Sequence, residues 1–271
     1  FEQLLSSITR KYREIPIALQ DRAFNTDGSL FYPDSRSFFD GNTGPYLPET
    51  DVSPIWNPEF FGNTIMVNGN TWPYLDVDKV RYRLRFLNGC QSRFLILDFN
   101  QIPGVKVWQI GNEGGFLTAP VDITGTLGNR LLMCPAERAD MIVDFTNVPA
   151  GNYTLTNMGP DEPFGGGIPN QDFPAADPNG SGQIMQFRVM AGKKIDLSTP
   201  AQFLVLPTLE PLAEATKTRS LALLEEMSMF FADTPAAAML GTVEMDGQGV
   251  GTWQHQMWMD PITENPAVDS T

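Results

Sequence analysis

The residues of this chain that could support redox or metal chemistry are few. The 271 residues include one histidine, His255, and two cysteines, Cys90 and Cys134. A metal site built from imidazole and thiolate needs several such ligands together, so one imidazole cannot form it without partners. We interpret His255 as a histidine of a loop or strand, and a role as a lone ligand or proton donor stays open. We expect no metal site and no catalytic residue within this chain.

The two cysteines lie far apart in sequence, and neither belongs to a CxxC pair. One interpretation is two buried thiols. The other is a disulfide, since both cysteines follow predicted strands and sequence alone cannot fix their separation. The cysteines therefore do not decide the redox compartment.

The patterns of other enzyme classes are missing from the sequence. Its Asp and Glu residues form no pair placed for general acid–base catalysis. It has no GxSxG motif, no phosphate-binding loop and no dinucleotide-binding loop. Arg138 and Asp140 lie at the entry to a predicted strand. Since arginine cannot act as a base, we predict a structural role in which Arg138 hydrogen-bonds carbonyls or a carboxylate.

Composition excludes further classes of protein. The net charge of −14 argues against binding nucleic acid, because phosphate contacts need clustered Lys and Arg. No apolar run approaches the ~18 residues of a membrane helix, so we expect no membrane partner. The 42% hydrophobic content fits a globular core. The 24 Gly and 22 Pro residues suit short strands joined by turns better than long helices.

Hydrophobic periodicity predicts an all-β protein. Asn68-Gly69 is a strong hairpin signal because both turn centres of a tight hairpin need positive φ. Residues 80–87 alternate between two faces, which is typical of a half-buried strand. One face carries Val80, Tyr82, Leu84 and Phe86, and the other carries Arg81, Arg83, Arg85 and Leu87. Strands at this spacing without long helices predict a β-sandwich. Its predicted strands cover residues 14–19, 64–67, 71–75, 80–87, 93–99, 105–110, 130–133, 140–145, 153–157 and 183–189.

Two other stretches leave alternatives open. Arg81, Arg83 and Arg85 share the polar face of one predicted strand and face either solvent or a neighbouring domain. Residues 220–230 favour helix by propensity, although a strand is the alternative. Residues 31–60 and 159–182 are predicted to be long irregular loops, rich in Gly, Pro, Asp and Ser.

Several motifs occur in an order that resembles a known family. They are Ile15-Pro16 with Gln20-Asp21-Arg22, Val67-Asn68-Gly69 with Trp72-Pro73-Tyr74-Leu75, Pro135-Ala136-Glu137-Arg138-Ala139-Asp140, and Ile184-Met185-Gln186-Phe187-Arg188-Val189. The set resembles the middle cupredoxin domain of three-domain multicopper oxidases of the spore-coat laccase and bilirubin oxidase type. Met257-Trp258-Met259-Asp260-Pro261-Ile262-Thr263-Glu264-Asn265-Pro266 resembles the segment before the first copper-ligand histidines of their last domain.

The resemblance implies a cupredoxin-like Greek-key β-sandwich followed by a partial second cupredoxin domain. It implies a linker from a preceding domain over 1–12, the middle domain over 13–191, a connector over 192–218 and the start of a further domain over 219–271. It also favours the strand for residues 220–230.

The resemblance further implies copper chemistry outside this chain. Such oxidases take electrons from an aromatic substrate at a type 1 copper and reduce dioxygen to water at a trinuclear copper cluster. The family holds these coppers with His-x-His, His-x-x-His-x-His and His-Cys-His motifs, and this sequence contains none of them. Its expected partners are therefore flanking cupredoxin domains, a small aromatic substrate and dioxygen. Copper is expected in the full-length protein and not on this chain alone. The resemblance also favours an exported, periplasmic or cell-surface location.

One loop is the candidate for substrate contact. Phe164, Gly165 and Gly166 match a glycine-rich loop that lines the substrate mouth in the resembling laccases, where glycines let a flat aromatic molecule approach the backbone. A flexible surface loop is the other interpretation. The laccase loop carries a cysteine paired with another before the Asn-Gly hairpin, and here both positions hold phenylalanine, Phe164 and Phe61. An aromatic contact in place of that disulfide is a hypothesis.

Two other accounts of the whole chain stay open. The chain is either part of such an oxidase, as a scaffold with one wall of the substrate mouth, or a non-catalytic β-sandwich module that binds a ligand or supports structure. A proteolysed oxidase whose copper domains stay associated is a variant of the first.

Overall fold

A computed structural model describes residues 13–38, 41, 51, 57–192, 194–245 and 251–255. The predicted linker over 1–12 and the segment from Met257 to Pro266 lie outside these residues. The described residues form sixteen strands, one short α-helix, α1, and 3-10 turns at Arg36–Phe38 and Ala201–Phe203. The strands and α1 are, in order, β1 Glu14–Phe24, β2 Leu30–Phe31, β3 Thr64–Val67, β4 Asn70–Thr71, β5 Tyr74–Val77, β6 Arg81–Asn88, β7 Leu95–Asp98, β8 Lys106–Asn112, β9 Gly115–Asp122, α1 Ile123–Thr126, β10 Arg130–Met133, β11 Arg138–Asp144, β12 Gly151–Asn157, β13 Gln183–Val189, β14 Leu221–Met227, β15 Pro235–Met245 and β16 Gly251–His255.

The described chain divides into two compact units. The first takes its residues from Phe1–Tyr32 and Glu59–Leu209, and the second from Pro33–Pro58 and Glu210–Thr271. In the first unit, one sheet has the order β4-β3-β1-β6-β11-β8-β9, with β2 paired to β1. The other has the order β10-β7-β12-β13-β5. The predicted all-β sandwich is confirmed.

The two sheets enclose one hydrophobic core. Along β6, Tyr82, Leu84 and Phe86 are buried, and the arginines between them point outward, as the alternation predicted. Tyr82 meets Phe145 edge-on at 5.8 Å between ring centroids, and Phe145 meets Phe187 of the opposite sheet at 5.1 Å. Aromatic side chains thus fill the space between the layers.

The Asn-Gly hairpin forms as predicted. Asn68 and Gly69 have φ of 50° and 80°, the positive values that this turn requires. The Asn68 side chain also ties the turn to β1, since its Oδ1 accepts from the Ala18 amide at 2.8 Å and its Nδ2 donates to the Pro16 carbonyl at 2.9 Å.

The predicted strand over 71–75 is wrong in one respect: it is two strands in different sheets. β4 ends at Thr71, Trp72 takes φ of 42°, and β5 begins at Tyr74 beside β13. Pro73 lies at the crossing, where the chain leaves one ladder before joining the next. A residue without a backbone N–H suits such a point.

Two further strands, β9 and β14, have no clear alternation of apolar and polar residues in the sequence. β9 has a mostly exposed face and no clean alternation, so it was not predicted from sequence. β14 confirms the strand alternative for residues 220–230. It pairs with β15, which pairs with β16, in the three-stranded sheet of the second unit. His255 lies at the end of β16. The domain bounds predicted from the resemblance stay a prediction. Among the described residues, no helix is long and apolar enough to span a membrane.

Candidate functional site

The glycine-rich loop is exposed but anchored by rings. Gly165, Gly166 and Gly167 are exposed, and the last two have φ of 94° and 106°. Phe164 is half-buried. Its ring lies 5.2 Å from that of Phe94 and 5.5 Å, edge-on, from that of Phe173. The loop therefore presents backbone to its surroundings while one side chain fixes its position.

The far end of the loop is closed by local hydrogen bonds. Asp172 Oδ2 accepts from the Ile168 amide at 2.7 Å, and the Asn170 amide donates to the Phe173 carbonyl at 2.7 Å. A Cβ on Gly167 would lie 2.6 Å from the Asp172 Cβ, so this turn requires glycine.

A buried arginine holds the near end of the loop. Arg93, between β6 and β7, is 1% exposed. Its Nη1 donates to the Pro160 carbonyl at 3.0 Å and to the Asp161 carboxylate. Because the guanidinium is planar and carries five donors, it can satisfy several acceptors at fixed angles.

The same guanidinium is fixed from the opposite side. Its Nε donates to Asp21 of β1 at 3.2 Å, and its Nη2 donates to the Gly62 carbonyl at 2.7 Å. Asp21 is also 1% exposed and accepts from the Gly62 amide at 2.9 Å. A Cβ on Gly62 would lie 2.5 Å from the Arg22 backbone nitrogen, so β1 and this segment approach as closely as glycine allows. We call Asp21, Gly62, Arg93 and Asp161 the Arg93 cluster.

The hypothesis of an aromatic contact between Phe61 and Phe164 is wrong. The Phe61 ring lies under the Arg93 guanidinium, 5.4 Å from centroid to carbon, whereas Phe164 packs on Phe94 and Phe173. The two phenylalanines contact neighbouring residues, Arg93 and Phe94, and not each other. A ring over a buried cation is favourable, which explains the different partner of Phe61.

An open cleft of about 470 Å³ lies over the cluster. Its aromatic wall is Phe61 and Trp72, and Trp72 is 39% exposed. The other lining residues are polar or small: Gly62, Asn63, Thr64, Arg93, Asp161, Asp177, Asn179, Gly180 and Ser181. A cleft with an aromatic wall and a few polar groups is the usual form of a small-molecule site.

Trp72 also borders a smaller cleft of about 170 Å³, lined by Tyr74, Thr154, Gln183, Met185, Gln186 and Arg188 as well. Phe164, Gly165 and Gly166 line neither cleft. Their role in substrate contact therefore stays a prediction.

The Asp161 carboxylate is held ionised at the rim of the larger cleft. Burial raises its pKa, but the Ser181 hydroxyl and the Arg93 charge outweigh burial, and the net pKa lies below the ordinary aspartate value. The Asp177 amide donates to Asp161 Oδ2 at 3.3 Å and joins the two sides of the long loop.

Arg138 and Asp140 lie on the outer side of the other sheet. Exposed Arg138 donates to the Ala136 carbonyl at 2.9 Å and pairs with Glu113 at 3.0 Å. Asp140 accepts from Arg83, with Nε to Oδ1 at 2.9 Å. These are structural contacts, and the structural role itself stays a prediction until variants are measured.

The three arginines of β6 form ion pairs across this outer face. Arg83 also pairs with Glu14 at 3.2 Å, and Arg85 pairs with the same residue at 3.0 Å. Arg81 pairs with Asp144 at 3.5 Å and with Asp196 at 3.4 Å. We call Arg81, Arg83 and Arg85 the arginine row. Their carboxylate partners all belong to the first unit, so this row has a role within that unit.

No protein-family model matches the chain. It is 32% identical over 273 residues to a laccase of Bacillus stratosphericus, covering 100% of this chain and 45% of that relative. It is 31% identical over 262 residues to a laccase of Bacillus subtilis (strain 168), covering 95% of this chain and 42% of that relative. The crystal structure of the McoA multicopper oxidase from Aquifex aeolicus superposes with a TM-score of 0.56 at 25% identity, covering 80% of this chain and 40% of that one.

The chain belongs to the multicopper oxidase family. Its all-β architecture is cupredoxin-like, as the resemblance implied. The chain spans less than half the length of the laccases that it matches.

The residues of this multicopper oxidase chain do not fit a copper centre. Within the described ranges, no group of three or more His, Cys, Asp or Glu residues is placed to hold a metal ion. A type 1 copper site needs two imidazoles and a thiolate, and the whole sequence has one histidine.

The cysteines are free thiols, so the disulfide interpretation is wrong. Cys90 is buried, and burial followed by the charge of Asp21 raises its thiol pKa far above the ordinary value. Cys134 is half-buried, and desolvation and Glu137 raise its pKa too. A thiol whose pKa is raised is a poor nucleophile and metal ligand at neutral pH.

Sequence reasoning about this multicopper oxidase chain missed the Arg93 cluster. Arg93 and Asp161 are 68 positions apart, and nothing local marks either as buried or paired. A signal was available in Arg93 itself, since it lies within the predicted strand over 93–99, where a charged residue that becomes buried needs a partner.

Proposed function

We propose that this chain is the copper-free middle part of an oxidase that oxidises phenolic or related aromatic substrates and reduces dioxygen to water. In this proposal the chain orients copper-bearing cupredoxin domains of the same protein and forms one wall of the substrate mouth. The observation that carries it is the match to laccases over nearly the whole chain, combined with a donor set that cannot hold type 1 copper.

The larger cleft supports a part in binding an aromatic substrate. A planar ring would stack on the exposed Trp72 indole, and Asp177 and Asn179 offer polar contacts at the rim. Phe164, Gly165 and Gly166 would border the same mouth. In this proposal dioxygen reacts at copper held by other domains of the protein, so no chemical step is assigned to residues of this chain.

The second unit supports a partnership with further polypeptide. Strand β14 is exposed along most of its length, including Leu221, Leu223 and Leu224. A β-sheet needs a second layer to bury its apolar face, so the sheet of the second unit fits completion by further cupredoxin strands. We propose domain bounds of 13–191, 192–218 and 219–271, and an exported, periplasmic or cell-surface location for the protein.

Copper analysis tests this function. The 271-residue chain and the full-length product of its gene would be purified from copper-supplemented cells and assayed for copper and for oxidation of 2,6-dimethoxyphenol. The proposal expects copper and copper-dependent oxygen consumption with the full-length protein, and neither with the chain alone. Tight binding of a ligand by a full-length protein without copper would instead support a non-catalytic binding module.

A further inference from the structure

We propose that Arg93 and Phe94 together position the glycine loop, defined as residues 159–173, so that its exposed backbone keeps a fixed place beside the cleft. The role of this loop in substrate binding rests on the proposed function. The positioning itself rests on contacts within the first unit alone.

Four contacts join these two adjacent residues to the loop. Arg93 binds the Pro160 carbonyl and the Asp161 carboxylate. The Phe94 ring packs on Phe164 at 5.2 Å between centroids. A Cβ on Gly159 would lie 2.6 Å from the Phe94 carbonyl oxygen, so the loop begins in direct backbone contact.

The other contacts of the Arg93 guanidinium connect it to the larger sheet. Asp21 belongs to β1, in the interior of the larger sheet, and the Arg93 guanidinium reaches both its carboxylate and the Gly62 carbonyl. Since all these groups are buried except Asp161, the loop is connected to the sheet through groups that water does not replace.

The glycines at the tip of the loop carry no side chains that could fix its position. A Cβ on Gly165 or Gly166 would have no neighbour within 4 Å, so these two positions face open space. Glycine has the largest conformational freedom of any residue, so a run of three needs external restraint to hold one shape.

The expected consequence for catalysis is in substrate binding. A loop that contacts substrate only as a wall contributes equally to ground state and transition state, so loosening it raises KM and leaves kcat unchanged. A general structural defect would instead lower copper content and kcat together. Arg93 and Phe94 are thus positioning residues, and the KM-against-kcat split distinguishes this role from a merely structural one.

The test compares Arg93→Lys and Phe94→Leu with Arg83→Lys in the full-length protein. Lysine keeps the charge but loses the planar fork, leucine keeps apolar volume but loses the ring, and Arg83 is an arginine bound to a carboxylate away from the loop. Amide hydrogen exchange at residues 168–172, which include the hydrogen-bonded amides of the loop, and kinetics with 2,6-dimethoxyphenol would be measured for each.

We expect exchange in the loop and KM to rise about tenfold in Arg93→Lys and about threefold in Phe94→Leu, with kcat within about twofold of wild type. Arg83→Lys should change neither. Unchanged loop exchange in Phe94→Leu and Arg93→Lys would overturn the proposal, and so would equal effects in Arg83→Lys. If the wild type proves to lack copper and oxidase activity, the proposed function fails, while the exchange measurement still decides whether these two residues hold the loop.

Discussion

The Arg93 cluster and the arginine row use the same chemistry in different surroundings. Both join guanidinium groups to carboxylates. Arg93 and Asp21 are each 1% exposed, whereas the side chains of Arg83 and Arg85 are 32% and 51% exposed. The cluster connects a loop to the sheet. The row connects neighbouring strands of one sheet and, through Asp196, the segment after β13.

The difference shows that burial determines what an ion pair does. Water competes with exposed pairs and replaces them when they break, so they contribute about 0–1 kcal/mol each. A buried charge that loses its partner keeps its desolvation cost, so breaking such a pair costs about 3–5 kcal/mol. The cluster should therefore specify one geometry, and the row should tolerate change.

The largest expected effect is that of removing the buried guanidinium. Arg93→Ala leaves the buried Asp21 without its charged partner and the Gly62 carbonyl without the Arg93 donor, and we expect the free energy of unfolding to fall by about 3–5 kcal/mol. Urea denaturation followed by tryptophan fluorescence measures this. A loss under about 1 kcal/mol would show that Arg93 contributes no more than an exposed arginine.

The second effect concerns the backbone approach beside the cluster. In Gly62→Ala the new Cβ meets the Arg22 backbone, which cannot rotate away, so we expect a loss of about 1–3 kcal/mol. Gly165→Ala is the matched control, because no atom lies within 4 Å of its Cβ position, and its unfolding midpoint should stay close to that of wild type. Equal losses in the two variants would contradict the close packing at Gly62.

The third effect comes from the arginine row. Arg83→Ala loses the bidentate pair with Asp140, and we expect a loss of about 1 kcal/mol that shrinks at high salt, as screening predicts. Arg85→Ala should cost less than about 0.5 kcal/mol. Denaturation at low and at 1 M sodium chloride checks both. If Arg83→Ala lost more stability than Arg93→Ala, and equally at both salt concentrations, the row would be the stronger of the two arrangements and the account would be contradicted.

The smallest effect is a pH dependence at the rim of the cleft. The folded-state pKa of Asp161 is lowered, so its contribution to stability is present above its unfolded pKa, near 3.9, and is lost as pH falls through the lower folded value. We expect loop exchange, corrected for intrinsic rates, to increase as pH falls below about 4 in wild type and to be less pH-dependent in Asp161→Asn. The pKa of Asp196, a partner of Arg81, is also lowered, because Ser198, backbone amides and Arg81 outweigh its desolvation. Asp196→Asn, as the matched variant, should leave the loop unaffected at every pH.

The fold was largely predictable, because strands with one buried face carry their own signal. The hairpin at Asn68-Gly69 and strands β3, β10 and β13 have the predicted bounds. Strand β9 was not predictable, since its side chains are mostly exposed and leave no alternation. The change of sheet at Trp72 depends on which neighbour each strand pairs with, and that information is non-local.

The site was harder to predict for the same reason. The glycine loop shows its composition in the sequence, but its anchors, Arg93 and Phe94, lie about 70 positions away from their partners. A pairing of Phe61 with Phe164 was expected because both occupy the places of a disulfide in the resembling laccases. The structure gives each ring a separate partner, since the Arg93-Phe94 dipeptide lies between the two segments.

A double-mutant cycle on Arg93 and Asp161 tests most directly whether the buried cluster holds the glycine loop. Unfolding free energies of Arg93→Lys, Asp161→Asn and the double variant give the coupling between the two side chains, free of their other contacts. The account predicts a coupling clearly above ~0.5 kcal/mol, the limit of additivity for independent sites. Additive losses within that limit would contradict it, because they would mean that the Arg93–Asp161 pair does not hold the loop.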